Sequence, residues 1–231
     1  MGPHPRGPGV NGDASRERIL GRVRRALADV PRQERPGDHP VAREYLRVHE
    51  ERSPAESVDL LARNLTDYRA LVHRVDAPGL PALLARLLHE RHAGRVAVPA
   101  GLPEAWLASA GVRLLQDSPA LTPHELDGVD SVVTGCALAI AETGTVVLDA
   151  GPGQGRRALT LVPDHHLCVV RIDDQVVDSV PRALERLTAT RPQTWISGPS
   201  ATSDIELDRV EGVHGPRTLE VVLVAGDPRT G

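Results

Sequence analysis

The sequence has no lysine and no phenylalanine, and it contains only two tryptophans and two tyrosines among 231 residues. Without lysine the chain cannot form a Schiff base, anchor pyridoxal phosphate or build the lysine-containing phosphate loop of P-loop ATPases. Stacking surfaces for single-stranded nucleic acid need aromatic side chains, which are scarce here. The hydrophobic core must therefore consist of leucine, valine, alanine and isoleucine.

Cysteine is also scarce, and no cofactor motif is recognisable. Cys136 and Cys168 stand apart in apolar surroundings, which favours buried, small apolar side chains. Two cysteines cannot provide the four thiolates of a conventional iron–sulfur cluster. The glycine-rich segment 151–155 lacks the GxGxxG spacing of a dinucleotide-binding loop, and we interpret it as a mobile loop that presents Arg156 and Arg157. We therefore expect neither a metal nor a cofactor.

The charge and hydropathy patterns exclude two further classes of partner. The formal net charge is −4, and acidic and basic residues are interspersed, which argues against a nucleic-acid-binding surface. No apolar run approaches the roughly 20 residues that a membrane-spanning helix needs. The first residues also lack the apolar core of a signal peptide. The sequence therefore predicts a cytoplasmic protein with no nucleic-acid partner and no membrane span.

The N-terminal part of the chain differs from the rest. Residues 1–14 are rich in glycine and proline, and we expect them to be disordered. Ser15 is suited to cap a helix over 16–30, whose apolar residues recur every three or four positions. A second helix is predicted from Pro54, because proline suits a first helical turn. We interpret 15–69 as a helical extension with a linker, and 70–231 as the main domain.

From residue 70 onward, β-prone runs alternate with helical ones. This alternation predicts a parallel sheet with helices on both faces. The predicted strands are 70–75, 95–98, 112–115, 159–162, 167–172, 193–196 and 219–225, and the predicted helices are 78–91, 103–110 and 181–187.

Residues 141–145, which read AETGT, separate two β-prone runs and predict a hairpin turn. Glu142 would lie at its tip, either as a nucleophile, base or ligand-binding carboxylate, or as a solvated turn residue. His165 and His166 are adjacent in an extended segment and must point to opposite sides, so at most one can face a pocket.

The stretch 194–217 has the highest density of small and hydrogen-bonding residues, in two turns that flank probable strands. Backbone N–H groups, hydroxyls and a guanidinium suit an anion, although such clusters also form ordinary surface turns. We expect the anion to be bound by Ser197, Gly198, Ser200 and Thr202, with Arg217 as the countercharge.

His214 is the acid–base candidate, because an imidazole titrates near neutral pH and its glycine- and proline-rich turn would hold it in place. It is equally suited to tie two loops together. Asp204 could orient His214 or bind a cation.

Four motifs, AETGT at 141–145, PDHH at 163–166, SGPSATSDIE at 197–206 and GVHGPR at 212–217, occur in this order. Together they resemble the lactate-utilisation protein C family, also called the LUD-domain family. The resemblance implies a three-layer α/β/α sandwich of the NagB/RpiA/CoA-transferase group, with a mainly parallel sheet. It also adds three ligand-binding candidates from the first motif, namely Thr143, Gly144 and Thr145.

The resemblance further implies a role in oxidising L-lactate to pyruvate, beside partners that carry iron–sulfur clusters. The chain would be a non-iron–sulfur subunit or accessory factor that binds a small anionic metabolite. One alternative is a transferase or hydrolase acting on an acyl-CoA or a phosphorylated metabolite through Glu142, and another is a non-catalytic scaffold or sensor. By analogy with the fold group, the two turns would lie at the carboxyl ends of the strands.

Overall fold

The structure, a computed structural model, describes residues 12–29, 44, 46–202, 210–211 and 215–226. Asp204 and His214, which the sequence indicates as functional candidates, lie outside these ranges. The chain divides into two units, Met1–Glu44 and Tyr45–Gly231. Every strand within the described ranges belongs to the second unit.

The described part of the first unit is built around one helix, α1 (Gly12–Ala26). This helix begins four residues before the expected start at Arg16, and therefore within the segment 1–14 for which disorder is expected. Its apolar side chains Ile19 and Val23 are exposed. Among the helices of the described residues, none is both long and apolar enough to cross a membrane.

The second unit contains short helices and strands in alternation. Its described helices are α2 (Pro54–Asp67), α3 (Leu80–Glu90), α4 (Pro123–Asp127) and α5 (Val180–Arg186), with 3-10 turns at Glu104–Leu107 and Arg157–Thr160. Its described strands are β1 (Leu71–Asp76), β2 (Arg95–Val98), β3 (Arg113–Gln116), β4 (Ser131–Thr134), β5 (Leu138–Ile140), β6 (Thr145–Leu148), β7 (His165–Arg171), β8 (Val176–Val177), β9 (Thr194–Ile196), β10 (Ala201–Thr202), β11 (Val210–Glu211) and β12 (Thr218–Ala225).

A six-stranded parallel sheet, in the order β1-β12-β7-β4-β2-β3, forms the centre of this unit. Its central strands are apolar on both faces, as expected for a parallel sheet covered on both sides. On one face, Leu84 and Leu88 of α3 pack with Val96 and Val169 of the sheet. The prediction of an α/β fold with a mainly parallel sheet is confirmed.

The other face is covered by α2 and by a second sheet in the order β8-β5-β6-β9. The β5–β6 hairpin is the one predicted around residues 141–145. Val58, Leu61 and Leu65 of α2 are buried against this face with Val221 of β12. The sequence analysis assigns α2 to the N-terminal extension, whereas the structure packs it in the core of the second unit. A helix next to a domain has the same amphipathic pattern in either position.

Three predicted elements differ from the structure. The run 159–162 is predicted as a strand, but Arg157–Thr160 form a 3-10 turn. The strand predicted over 167–172 begins earlier, so that His165 and His166 are the first residues of β7. The helix predicted over 103–110 is reduced to the 3-10 turn Glu104–Leu107. Short apolar runs of this kind fit a strand, a turn or a helix equally well, so tertiary packing decides among them.

Candidate functional site

The two turns predicted to bind an anion meet at one cavity of about 240 Å³, which we call the Ser197 cavity. Ser197, Gly198 and Ser200 line it from the turn after β9, and Gly215 and Pro216 line it from the segment before β12. The backbone N–H of Ser200 donates to the carbonyl oxygen of Pro216 at 2.8 Å, which joins the two turns. The structure therefore brings these sequence-predicted residues together.

The Ser197 cavity lies at the amino ends of the parallel strands. His166, the second residue of β7, and Leu219, the second residue of β12, contribute to its wall. The expectation that both turns lie at the carboxyl ends is therefore wrong. The turn at Ser197 follows a strand of the small sheet, and the turn at Gly215 leads into β12 rather than out of it.

His166 is a functional candidate that the sequence analysis did not single out. Its side chain is buried, and its Nε2 lies 2.8 Å from Oγ1 of Thr134. Burial lowers the pKa of His166 to about 3, and electrostatic interactions with the neighbouring His165 and Arg157 act in the same direction. The imidazole is therefore neutral at neutral pH. Strand alternation allows at most one of the two adjacent histidines to face a pocket, and His166 lines the Ser197 cavity.

Arg157 supplies positive charge to the wall of the Ser197 cavity. Its Nη1 donates to the backbone oxygen and to Oγ1 of Thr160, at 2.8 and 3.1 Å. Arg217, which the sequence indicates as the countercharge, does not line the cavity in the described part of the chain. It is exposed, and its Nη1 lies 3.5 Å from Oδ2 of Asp164.

The AETGT hairpin reaches the Ser197 cavity through hydroxyl groups. Oγ1 of Thr145 lies 2.7 Å from Oγ of Ser197, and Oγ1 of Thr143 lies 2.8 Å from Oγ1 of Thr145. These three hydroxyls form a continuous chain and fix the orientation of Ser197. Thr202 belongs to β10, where its backbone pairs with Val210.

Gly144 is held against helix α2 rather than in a cavity. Its φ of +56° lies in the left-handed region, and a Cβ atom there would come within 2.7 Å of the carbonyl carbon of Asn64. Nδ2 of Asn64 donates to the backbone oxygens of Ala141 and Glu142 at 2.8 and 3.1 Å. The hairpin turn is therefore a docking point for α2.

Glu142 is also engaged within the protein. Its Oε1 accepts hydrogen bonds from the backbone N–H of His49 and from Nη1 of Arg52, both at 3.2 Å, and its Oε2 lies 2.8 Å from Nδ1 of His49. Burial raises the pKa of Glu142, but the hydrogen bonds from His49 and Arg52 outweigh it and hold the pKa below its ordinary value. Glu142 is thus an ionised carboxylate that ties the hairpin to the segment before α2.

The chain is similar to known proteins of one family. The LUD domain profile matches residues 116–224. A lactate utilization protein C from Deinococcus radiodurans is 47% identical over 210 residues, which cover 89% of this chain and 93% of that protein. The chain belongs to the lactate utilization protein C family.

Two further comparisons agree with this family assignment. A lactate utilization protein C from Halalkalibacterium halodurans is 32% identical over 120 residues, about half of each protein (49% of this chain and 48% of that one). The crystal structure of a DUF162 family protein from Deinococcus radiodurans superimposes with a TM-score of 0.66 at 45% identity. It covers 76% of this chain and 100% of that structure. The match to the LUD domain profile spans all four motifs that carry the sequence resemblance.

Proposed function

We propose that the chain is the non-iron–sulfur subunit or accessory factor of a cytoplasmic system that oxidises L-lactate to pyruvate, and that it binds a small carboxylate in the Ser197 cavity. Membership of the lactate utilization protein C family supports the pathway. The observation that carries the ligand proposal is the convergence of Ser197, Ser200, His166 and Arg157 on one cavity.

The chemistry of this cavity matches a small hydroxy- or keto-carboxylate. The planar guanidinium of Arg157 can pair with a carboxylate, and the hydroxyl of Ser197 can bond to a hydroxyl or keto oxygen. Neutral His166 adds a hydrogen-bonding ring without adding a charge. A volume of about 240 Å³ lies below the roughly 300–1,000 Å³ of pockets for drug-sized ligands. The site therefore suits a metabolite of a few heavy atoms.

Electron transfer in the proposed system belongs to other proteins. Oxidising lactate to pyruvate removes two electrons and two protons, so an acceptor is needed. Cys136 and Cys168 are the only cysteines of the chain, and both are buried. Since a conventional cluster needs four thiolates, we propose that iron–sulfur partner proteins accept the electrons.

A growth experiment tests the pathway. A strain without any second copy of the gene should lose growth on L-lactate but grow normally on glucose when the gene is deleted. A plasmid carrying the wild-type gene should restore growth on L-lactate. Normal growth of the deletion strain on L-lactate would falsify the proposed role.

A pair of arginine variants tests the ligand site in the purified protein. In Arg157→Ala protein, the same thermal stabilisation should require at least about tenfold more L-lactate or pyruvate, because the variant lacks the guanidinium group in the cavity wall. Arg217→Ala tests the sequence-based assignment in parallel. Equal weakening by both variants would support Arg217 as a second countercharge. If neither carboxylate stabilises the wild-type protein, the ligand proposal is wrong even where the growth result stands.

A further inference from the structure

A crevice that none of the sequence motifs indicates lies at the carboxyl ends of the strands of the central sheet. β2 and β4 are adjacent and parallel. The chain leaving β2 forms the turn Glu104–Leu107, which packs with α3 on one face of the sheet. The chain leaving β4 forms the β5–β6 hairpin, which packs with α2 on the other face. Connections that leave neighbouring strands toward opposite faces open a crevice between them, where ligands of open α/β sheets bind.

A cavity of about 380 Å³ occupies this crevice, and we call it the switch-point cavity. Segments that follow β2, β4, β6 and β7 all contribute to its wall. Its volume lies within the range of small-molecule sites. It shares no lining residue with the Ser197 cavity, which lies at the amino ends of the same parallel strands.

Glycines allow the loops around the switch-point cavity to lock together. The backbone N–H of Gly135 donates to the oxygen of Gly153 at 2.7 Å, and that of Gly153 donates to the oxygen of Ala100 at 2.8 Å. Gly101 has a φ of +81°, and a Cβ there would lie 3.0 Å from Cβ of Pro152. Three separate loops are therefore fixed to one another, and the cavity is formed before any ligand binds.

Three arginines face this cavity, and the protein itself orients each of them. Arg171 pairs with both carboxylate oxygens of Asp174, at 3.0 and 2.8 Å. Arg186 donates to the backbone oxygen of Asp174. Nη1 of Arg191 donates to Oδ2 of Asp149 at 2.8 Å. Since each guanidinium has five N–H groups, these contacts leave donors for a ligand.

The charge balance of the wall favours an anion. Against the three guanidinium groups, Asp149 is the single carboxylate among the lining residues, and Asp174 lies just outside them. Leu102, Trp106 and Leu138 add apolar side chains to the same wall. The cavity wall thus combines guanidinium groups with apolar side chains.

From this arrangement we propose that the switch-point cavity binds an organic phosphate, with the phosphate on Arg171, Arg186 and Arg191 and the apolar body against Leu102, Trp106 and Leu138. A phosphate monoester carries close to two negative charges at neutral pH and presents three acceptor oxygens, which match several guanidinium donors. The site is separate from the proposed carboxylate site at Ser197.

The positions of the two tryptophans allow each cavity to be observed alone. Trp106 lines the switch-point cavity and Trp195 lines the Ser197 cavity, and the chain has only these two. In Trp195→Phe protein, adenosine monophosphate should change the Trp106 fluorescence saturably. Adenosine, which lacks the phosphate, and inorganic phosphate, which lacks the apolar body, should each bind at least about tenfold more weakly. L-lactate should leave this signal unchanged.

Two arginines on the same helix provide a matched pair of variants. Arg186 lines the switch-point cavity, whereas Arg182 pairs with Glu185 on the surface. In the Trp195→Phe background, Arg186→Ala should weaken binding of adenosine monophosphate at least about tenfold, and Arg182→Ala should not change it. Should Arg186→Ala fail to fold, Arg191→Gln replaces it.

Three results would overturn the proposal. They are the absence of a saturable signal with adenosine monophosphate, equal affinity for adenosine, and equal affinity of the Arg186 and Arg182 variants. Because Trp106 reports only on the switch-point cavity, each result is independent of whether L-lactate binds at Ser197.

Discussion

His166 is a buried imidazole whose neutral form the fold requires. Its pKa is lowered from 6.5 to about 3 by burial, so the unfolded chain takes up a proton at a higher pH than the folded protein does. The free energy of unfolding must therefore fall as the pH falls from about 6.5 toward 3. The contribution of His166 to this free energy is fully present only above the pKa of the unfolded chain. One residue in the wall of the Ser197 cavity thus makes the stability of the protein depend on pH.

This coupling predicts a measurable slope. Between about pH 7 and pH 5, His166 alone should lower the free energy of unfolding by about 2 kcal/mol, and carboxyl groups titrate mainly below this range. His166→Gln, which keeps a hydrogen-bonding group near Thr134, should flatten the slope in urea denaturation. The exposed His124→Gln is the control and should keep it. A wild-type slope in His166→Gln protein would contradict the explanation.

At the scale of elements, α2 is clamped by two glycine turns. Gly144 contacts Asn64, and Gly198, with a φ of +91°, lies so close to Tyr68 that a Cβ would collide with its backbone. The turns belong to two of the motifs that carry the family resemblance. Part of what those motifs encode is therefore the close approach of two turns to one helix.

Gly144→Ala should destabilise the second unit by about 2–4 kcal/mol, the sum of left-handed strain and overpacking against α2. Gly111→Ala separates the two causes, because Gly111 has a similar φ of +64° and no atom within 4 Å of the added Cβ. This control should lose only about 1–2 kcal/mol. Urea denaturation measures both values, and equal losses would show that packing against α2 has no effect.

Regular elements were predictable where the residue pattern is long and unambiguous. The leucines of α3 recur at helical spacing, and the valine-rich run of β12 is bounded by turn residues, so both elements are found where the sequence places them. The strand prediction for 159–162 was wrong because a run of four residues, three of them apolar, carries too little periodicity to distinguish a strand from a 3-10 turn. The hairpin was predicted, but its membership of a separate sheet depends on contacts with β8 and β9, distant in sequence.

For the whole molecule, the boundary between the units can be tested by truncation. Deleting residues 1–44 should leave cooperative thermal unfolding of the second unit in place, because that unit has its own core. Deleting residues 1–69 also removes α2 with buried Val58, Leu61 and Leu65. Each buried leucine lost costs about 2–5 kcal/mol, so their loss approaches the entire stability of a typical domain.

Circular dichroism during heating distinguishes the two truncations. A cooperative transition should persist in the shorter deletion and disappear in the longer one. A cooperative transition in both proteins would place α2 outside the folding unit, as the sequence-based boundary at residue 70 predicts.

Only the part of the candidate site that one continuous stretch of sequence forms was predictable. Ser197, Gly198 and Ser200 follow from turn composition within one stretch of sequence. His166 and Arg157 join them only because β7 and a 3-10 turn pack beside that stretch, which a single sequence does not reveal. The switch-point cavity was missed for the same reason, since its wall combines loops that follow four different strands. The roles of Asp204 and His214 stay predictions, because both lie outside the described residues.

Strand β7 runs from the Ser197 cavity at its amino end to the switch-point cavity at its carboxyl end. His166 near its start lines one cavity and Arg171 at its end lines the other, about 16 Å apart at the usual rise of a strand. β7 pairs on one side with β12 and on the other with β4, and its side chains are almost all buried. Its amide hydrogens should therefore exchange with solvent only through global unfolding. A ligand in either cavity would slow their exchange by the same factor by which it stabilises the whole unit, even at the end of the strand that it does not touch.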